Sequence, residues 1–433
     1  MRTRAFLRGF LLGVPLGLAL PAYAPAIPPS PFGTPFVIGF PEGDDWESAV
    51  EADRFGNVYV AWAHFGGVPG CDTCSDPAAM IQVSHDGGRS FGPPRPLNPS
   101  PEKVAAPYQI DLQVKASASG AVFAAYLDGK DTVVQRSEDL GETWSAAVAA
   151  NVGIQSSWTD KVGLAVRGSD VYVSFSDGQK YFVSASHDGG RTFAPVQVNR
   201  RRSDTGWTLT AGGAVDSHGT IYFSWVGIHK SGSASGPQDV FLTKSSDGGR
   251  SWSYIFLARD LPPGPDCAAF SCGWDFWGPQ MVVSVDAGDA VYVAYNAGLV
   301  DEGPPYLWFQ ASTDGGATWT PRKVVHTDGL SSAFHLFPAL AGGAAGEVHV
   351  SWMDDRRGRF NVFYRTSSNG GSSFSPEAIV NQDLGFAYQS GAGFAFTYGD
   401  YYQIAVDFRG GVHLAWGEGL DYTGPGNVFY STR

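Results

Sequence analysis

Acidic residues and tyrosines that could take part in acid–base chemistry stand just before several predicted β-strands of this 433-residue chain. Cleavage of a glycosidic bond needs one group that protonates the leaving oxygen and a second that acts as base or nucleophile. Carboxylates fill both roles, and a tyrosine can replace the nucleophilic carboxylate. No spacing singles out one pair, so the sequence predicts this chemistry without assigning its partners. The candidate catalytic residues are Asp45, Asp160, Asp275, Asp400 and Tyr401.

Aromatic and basic side chains beside these acids are candidates for sugar binding. The faces of Trp and Tyr stack on sugar rings, and carboxylates accept hydrogen bonds from sugar hydroxyls. The same strand starts also carry Glu47, Tyr108 and Asp111. A structural alternative stays open, in which the acids cap turns and the aromatics pack between neighbouring sheets. The candidate substrate-binding residues are Trp46, Trp158, Lys161, Trp277, His335, Arg356 and Tyr402.

Elimination from a uronate polymer is a second reaction that these residues could support. His335 or Tyr401 would act as the base, while Lys161 and Arg356 would neutralise the uronate carboxylate. Arg356 follows two aspartates in the string MDDRRGRF, so a local salt bridge is the alternative role for its side chain. For His335 the alternative is packing.

Seven apolar strands, each preceded by a short turn, must position these groups. Each strand alternates large apolar residues with small or polar ones, the period-two pattern of a β-strand. The strands are GNVYVAW from Gly56, GAVFAAY from Gly120, SDVYVSF from Ser169, GTIYFSW from Gly219, DAVYVAY from Asp289, GEVHVSW from Gly346 and GGVHLAW from Gly410.

A second repeat, the octet Ser-x-Asp-x-Gly-x-Ser/Thr-aromatic, follows six of these strands. An Asp in this position accepts backbone N–H bonds within a turn, the Gly adopts a positive φ, and the aromatic residue packs beside the next strand. We therefore interpret the octet acids as structural. They are Asp86, Asp139, Asp188, Asp247 and Asp314, with Asn369 in the sixth octet.

The octet resembles the Asp box, or BNR repeat, of the sialidase-like β-propeller superfamily, and the copies extend over nearly all of the chain after residue 26. The resemblance implies four-stranded blades with the octet between the third and fourth strands, on the face opposite the active site. Sialidases of this kind bind a substrate carboxylate with three Arg, the first in an F/Y-R-I-P motif. Here the nearest string is Phe334-His335-Leu336-Phe337-Pro338, so sialidase activity is not expected.

Seven strand signals and six octets predict an all-β, seven-bladed propeller of antiparallel blades. The last repeat, NVFYSTR, stops where the sixth continues into its octet. The last blade therefore lacks its outer strand, and an unpaired edge favours aggregation. We expect residues 36–40, an N-terminal strand, to complete this blade.

The N-terminal residues predict export. Arg2, Arg4 and Arg8 precede an apolar run of 11 residues from Phe10 to Leu20, a run too short to cross a bilayer. Cleavage is expected after Ala26, which leaves residues 27–433 as a single propeller domain in a secreted or periplasmic protein. The formal charge then falls from −13 to about −16, which excludes nucleic acid and acidic membranes as favoured partners.

Four cysteines form two local pairs, Cys71 with Cys74 and Cys267 with Cys272. In an exported chain, local disulfides are the expected use of such pairs, and a zinc site would require the two loops to meet. No metal or cofactor is predicted. The expected ligand is a carbohydrate or an extracellular protein, and the three functions considered are a glycoside hydrolase, a noncatalytic binding propeller and a polysaccharide lyase.

Overall fold

The computed structural model of the protein describes residues 30–97, 108–155, 159–199, 207–228, 238–261, 280–300, 303–357, 360–381, 399, 401–419 and 426–433. The predicted signal segment, residues 1–26, lies outside these ranges. Within them the chain forms β-strands and turns. No helix in the described ranges is long and apolar enough to cross a membrane.

Seven four-stranded antiparallel sheets form the blades of a propeller, as the repeat count predicts. The first three blades each use four consecutive strands. The strand β1 (Phe36–Ile38) precedes them and belongs to the last blade. The three blades comprise β2 (Asp44–Ala52), β3 (Val58–Phe65), β4 (Ala78–Ser84) and β5 (Arg95–Pro96); β6 (Gln109–Ala116), β7 (Val122–Asp128), β8 (Asp131–Ser137) and β9 (Val148–Ala149); and β10 (Thr159–Arg167), β11 (Asp170–Asp177), β12 (Lys180–Ser186) and β13 (Ala194–Gln197).

The next three blades repeat this order. They comprise β14 (Trp207–Val215), β15 (Ile221–Ile228), β16 (Gln238–Ser245) and β17 (Ser253–Asp260); β18 (Met281–Val285), β19 (Val291–Gly298), β20 (Pro305–Ser312) and β21 (Lys323–Val324); and β22 (His335–Gly342), β23 (Val348–Asp354), β24 (Asn361–Ser367) and β25 (Ala378–Ile379).

The seventh blade combines the two ends of the described chain. It contains β26 (Gln403–Val406), β27 (Val412–Gly419), β28 (Gly426–Thr432) and β1 (Phe36–Ile38). Strand β1 pairs antiparallel with β28, with Val37 opposite Phe429. The first strands of the blades contact one another in order, and β26 contacts β2, so these seven inner strands form a closed ring around the channel expected of a propeller.

The octets form the turns between the third and fourth strands of the first six blades. In the first, the Ser84 hydroxyl donates to Asp86 at 2.8 Å and accepts the Gly88 N–H at 2.8 Å. The Ser90 N–H and hydroxyl also donate to the Asp86 carboxylate, at 2.9 and 2.6 Å. The same network recurs around Asp139, Asp188, Asp247, Asp314 and Asn369.

The glycine at the fifth position of each octet lies against an aromatic side chain of the preceding blade. A Cβ on Gly88 would lie 1.8 Å from the Tyr430 hydroxyl oxygen, and one on Gly141 would lie 3.0 Å from the Tyr59 ring. Both glycines have positive φ, 80° and 88°. The octet therefore closes a turn and also fixes how closely adjacent blades approach.

The interface between the sixth and seventh blades has no octet, because the seventh blade takes its outer strand from the N-terminal region. Phe32 packs edge-on against Tyr364, with ring centroids 5.0 Å apart. The Gly33 N–H donates to the Thr432 carbonyl at 2.9 Å, and the Ser431 hydroxyl donates to the Gly33 carbonyl. An aromatic contact thus occupies the place that an octet has elsewhere.

Candidate functional site

Left-handed backbone marks the start of several inner strands. β-Bulges interrupt β2, β6, β10 and β22 near their beginnings and β14 past its middle. At four of these bulges a residue other than glycine has positive φ: Glu47 (57°), Asp111 (60°), Lys161 (51°) and Phe337 (50°). Such backbone costs on the order of 1 kcal/mol per residue. The bulge of β14 lies further along its strand, between the residues that pair with Ser224 and Phe223, and its extra residue is Gly212, with φ of 59°.

The three charged bulge residues meet one another, and we call them and Tyr401 the mouth cluster. The Lys161 ammonium lies 3.4 Å from Asp111 Oδ1 and 3.7 Å from Glu47 Oε1. The Asp111 N–H donates to the Glu47 carboxylate at 3.4 Å, and the Lys161 N–H donates to Asp111 at 2.8 Å. The bulges of the second and third blades therefore each bond to the side chain of the bulge in the preceding blade.

Tyr401 closes the cluster from the seventh blade. The Lys161 ammonium lies 5.7 Å from the centroid of the Tyr401 ring, and the Tyr401 hydroxyl donates to the Leu112 carbonyl at 3.1 Å. Gly399 lies behind Glu47, where a Cβ would be 2.8 Å from Glu47 Cγ. Lys161 keeps 16% of its side chain exposed, against 8% for Glu47 and 1% for Asp111, so solvent reaches the cluster mainly at Lys161.

Tyr108 and Asp160 lie next to the mouth cluster. Burial raises the pKa of the Tyr108 phenol, and the negative charges of Asp160 and Asp111 raise it further. The Asp160 carboxylate accepts the Lys161 N–H at 3.0 Å. Of the predicted site residues, the structure therefore brings Asp160, Lys161 and Tyr401 together, with Glu47, Asp111 and Tyr108 from the same strand starts.

A second ion pair links the same two inner strands away from the bulges. The Lys115 ammonium lies 2.7 Å from Glu51 Oε2 and joins β6 to β2 as the mouth cluster does. Both backbones are regular here, because neither residue is at a bulge. This pair is a natural control for the cluster.

Asp45 occupies a buried position away from the cluster. It is 1% exposed and accepts hydrogen bonds from Trp62 Nε1 at 2.8 Å and from His64 Nδ1 at 2.6 Å. Burial raises its pKa to about 6, against the lowering effect of these bonds. Trp46 is half-buried, packs on Phe65 and donates from Nε1 to Asp44 at 2.6 Å.

Tyr402 points into the core. Its side chain is 1% exposed and its hydroxyl is 2.7 Å from the Ser351 hydroxyl, while burial raises its pKa. The sequence predicted a substrate contact for Tyr402, and in the structure its side chain makes a packing contact. The neighbouring Tyr401 is the tyrosine that faces the mouth cluster.

Arg356 forms the local salt bridge that was the alternative to a substrate contact. Its guanidinium binds both oxygens of Asp354, at 2.5 to 3.0 Å. It also donates to Glu377 at 2.9 Å and lies 3.5 Å from Asp328. The N–H edge of the guanidinium is thus bonded to acids of the protein, and its face stacks on the Phe363 ring, 4.3 Å from the centroid.

His335 is completely buried and stacks on His326, with ring centroids 3.5 Å apart and planes inclined by 17°. His326 Nδ1 and His335 Nε2 both lie near Asp328 Oδ1, at 2.6 and 3.2 Å. These atoms are of the types that bind metals. However, Asp328 Oδ1 itself occupies the point at which the two nitrogens converge, and Arg356 lies 3.5 Å from the same oxygen. We therefore interpret the group as a hydrogen-bonded packing cluster.

Glu418 is not among the residues predicted from the sequence, and its carboxyl pKa is strongly raised. Burial raises it to about 8, although Trp416 Nε1 donates to it at 2.8 Å and Asn381 donates to both its oxygens at 3.0 Å. A signal was present, because the aromatic residue of the second strand is followed two positions later by an acid in Trp416-Gly417-Glu418 and Trp352-Met353-Asp354.

Several predicted residues lie outside the described ranges: Trp158, Asp275, Trp277, Asp400, Cys267 and Cys272. The pair Cys71 and Cys74 does form a disulfide, as predicted, with Cα atoms 5.5 Å apart.

No protein-family model matches the chain, and no curated protein matches it. Among solved structures, a protein of unknown function from Dyadobacter fermentans aligns with 94% of this chain and 99% of its own, at 15% identity and a TM-score of 0.52. A polysaccharide lyase described as an ulvan lyase aligns with 92% of this chain and 98% of its own, at 13% identity and a TM-score of 0.55. An intramolecular trans-sialidase from Ruminococcus gnavus aligns with 93% of this chain and 94% of its own, at 13% identity and a TM-score of 0.45.

Because the identities are low, the first two comparisons, with TM-scores above 0.5, show a shared fold alone. A fold of this kind accommodates many chemistries, and function has to be argued from the site.

Proposed function

We propose that this chain is an exported glycan-active protein, a glycoside hydrolase whose reacting groups are in the mouth cluster. One observation carries the proposal: three neighbouring blades hold charged side chains on left-handed bulges, and those side chains meet at one point. Strained backbone of this kind concentrates at functional sites.

The two carboxylates of the cluster have a separation suited to this reaction. Both contact the Lys161 ammonium, so Glu47 Oε1 and Asp111 Oδ1 are at most about 7 Å apart. Retaining glycosidases hold their two carboxyl groups about 5 Å apart, and inverting enzymes begin near 6.5 Å. This upper limit is compatible with the separation in retaining enzymes and with the shortest separation in inverting enzymes.

The surroundings of the two acids suggest different roles. Asp111 accepts a backbone N–H at 2.8 Å and lies beside an ammonium, which suits a base or nucleophile. Glu47 has longer contacts, at 3.4 and 3.7 Å, and is the group we assign to protonation of the leaving oxygen. Tyr108 and Tyr401 offer aromatic surface for a sugar ring. The polysaccharide lyase that shares the fold adds support for a carbohydrate ligand.

The test compares Glu47→Gln and Asp111→Asn with the matched control Glu51→Gln, which alters the regular ion pair between the same strands. The full chain is incubated with neutral glycans, sialosides and uronate polymers, and free reducing ends are measured. We expect the two mouth variants to lose roughly 100-fold or more of the activity, the usual contribution of acid–base catalysis, and the control to stay within about twofold.

Three results would count against this assignment. Full activity in both mouth variants would place the reaction elsewhere. Products with the ultraviolet absorbance of unsaturated uronates would indicate a lyase. Binding without any product across the panel would indicate a noncatalytic glycan-binding propeller.

A further inference from the structure

Among the described residues, acids outnumber the base at the mouth cluster. Glu47 and Asp111 both lie within 3.7 Å of the Lys161 ammonium, and the carboxylate of the adjoining Asp160 accepts the Lys161 backbone N–H. The charges of Asp160 and Asp111 also reach the Tyr108 phenol, since both contribute to its raised pKa. A ligand carboxylate placed here would meet like charges and a cation that is already neutralised.

The Arg356 guanidinium, like the Lys161 ammonium, is already paired with acids of the protein. Recognition of a carboxylate by Arg uses the two parallel N–H groups of the guanidinium. In this protein Asp354 accepts from Nε and Nη2, and Glu377 accepts from Nη1. Of the two basic residues predicted to bind substrate, both are thus paired with acids in the described structure.

We infer that the mouth cluster and the adjoining Asp160 recognise an uncharged glycan, whose hydroxyls donate to Glu47 and Asp160, and discriminate against saccharides that carry a carboxylate. The inference rests on the proposed function and names its substrate class. Carboxylates in excess are suitable acceptors for several hydroxyls, and they repel uronates and sialic acids without any steric selection.

The first experiment uses pairs of ligands that differ in one charge. Calorimetric titration of the full chain compares lactose with sialyllactose, and methyl-esterified oligogalacturonate with the free acid. Each acidic ligand is expected to bind at least tenfold more weakly than its uncharged partner. Equal or tighter binding of the acidic ligands would overturn the inference and leave the proposed glycan activity standing. Absence of binding to every ligand of both pairs, and to a panel of neutral oligosaccharides, would overturn both.

The second experiment releases Lys161 from its acids. In the double variant Glu47→Gln with Asp111→Asn, both side chains keep their shape and lose their charge, so the ammonium becomes available to a ligand carboxylate. We expect the preference for uncharged ligands to shrink at least tenfold. The control Glu51→Gln releases Lys115 at the regular pair and should leave the preference unchanged.

Thermal melting of each variant checks that the fold is retained. An unchanged preference in a folded double variant would show that the mouth cluster does not set the charge selectivity, and would overturn the inference. The same change of preference in Glu51→Gln would also overturn it, because a general effect of net charge would then be sufficient.

Discussion

The carboxylates of the octet turns and those near the inner strand ends are both surrounded by hydrogen-bond donors, yet their pKa values move in opposite directions. Hydroxyl and N–H bonds from Ser90 and Thr143 lower the pKa of Asp86 and Asp139 to about 2 in exposed turns. Burial raises the pKa of Asp45 to about 6 and that of Glu418 to about 8, despite comparable bonds. Solvent exposure therefore decides the direction, and only the buried acids can hold a proton near neutral pH.

For the octet turns, the largest effect on stability is expected at Gly88. Gly88→Ala would place a Cβ 1.8 Å from the Tyr430 hydroxyl, at a φ of 80°. We expect a loss of about 3 kcal/mol or more in the free energy of unfolding, from overpacking and left-handed strain together. Urea unfolding measures it.

Gly87 supplies the control within the same octet. It has a φ of 75°, and a Cβ there would have no atom within 4 Å. Gly87→Ala should therefore lose only about 1 kcal/mol, the cost of the backbone conformation. Equal losses in the two variants would show that the octet does not fix the distance between blades.

For the buried acids, the substitution Glu418→Gln tests whether burial raises the carboxyl pKa. Because the folded-state pKa of Glu418 is raised to about 8, its stabilising contribution is fully present below its ordinary pKa of 4.5 and is lost as the pH rises through about 8. The Gln variant resembles the protonated acid and lacks this loss. Relative to wild type it should gain a few kcal/mol between about pH 5 and pH 9, as measured by chemical unfolding.

The exposed Glu138, with 70% of its side chain accessible, is the control for this pH series. Glu138→Gln should follow the wild-type curve at every pH. If the free energy of unfolding of Glu418→Gln changes with pH in parallel with that of wild type, burial does not raise the pKa of Glu418.

The smallest effect is expected at Asp86. Its lowered pKa means that the stabilising contribution is present above the ordinary Asp pKa and is lost as the pH falls through about 2. Asp86→Asn should cost no more than about 1 kcal/mol at neutral pH, since water screens this exposed group. The difference from wild type should disappear near pH 2 in thermal melts.

The sixth octet allows the reverse change. There Asn369 Nδ2 donates to the Ser373 hydroxyl at 2.9 Å, where an aspartate would accept. Asn369→Asp should add acid sensitivity to the protein. If both substitutions leave the acid profile unchanged, octet ionisation does not contribute to stability.

The repeats allowed the fold to be predicted because their signals are local. Ser84, Asp86, Gly88 and Ser90 lie within one turn and bond to one another, so their spacing alone specifies the turn. The count of the seven apolar strand signals, which form the second strands of the blades, then predicted seven blades. By contrast, Phe32 lies against Tyr364, more than 300 residues away in sequence, and no local pattern indicates that contact.

The mouth cluster was only partly predictable for two physical reasons. Glu47, Asp111 and Lys161 belong to three blades and meet only because bulges turn each one toward its neighbour. Tyr401 and Tyr402 are adjacent, and neighbouring side chains of an extended chain point to opposite sides. Without the register, sequence could not show that Tyr401 faces Lys161 while Tyr402 packs into the core.

The contact between Phe32 and Tyr364 makes one of the seven blade interfaces chemically unlike the other six. Six interfaces depend on a turn that carries an Asp or Asn, and acid weakens the five that carry Asp. The seventh is aromatic and has no carboxylate in its Phe32–Tyr364 contact. At low pH the closed ring of blades is therefore expected to open first at an interface whose octet contains Asp. The sixth and seventh blades would then stay joined as a single unit that contains both ends of the described chain.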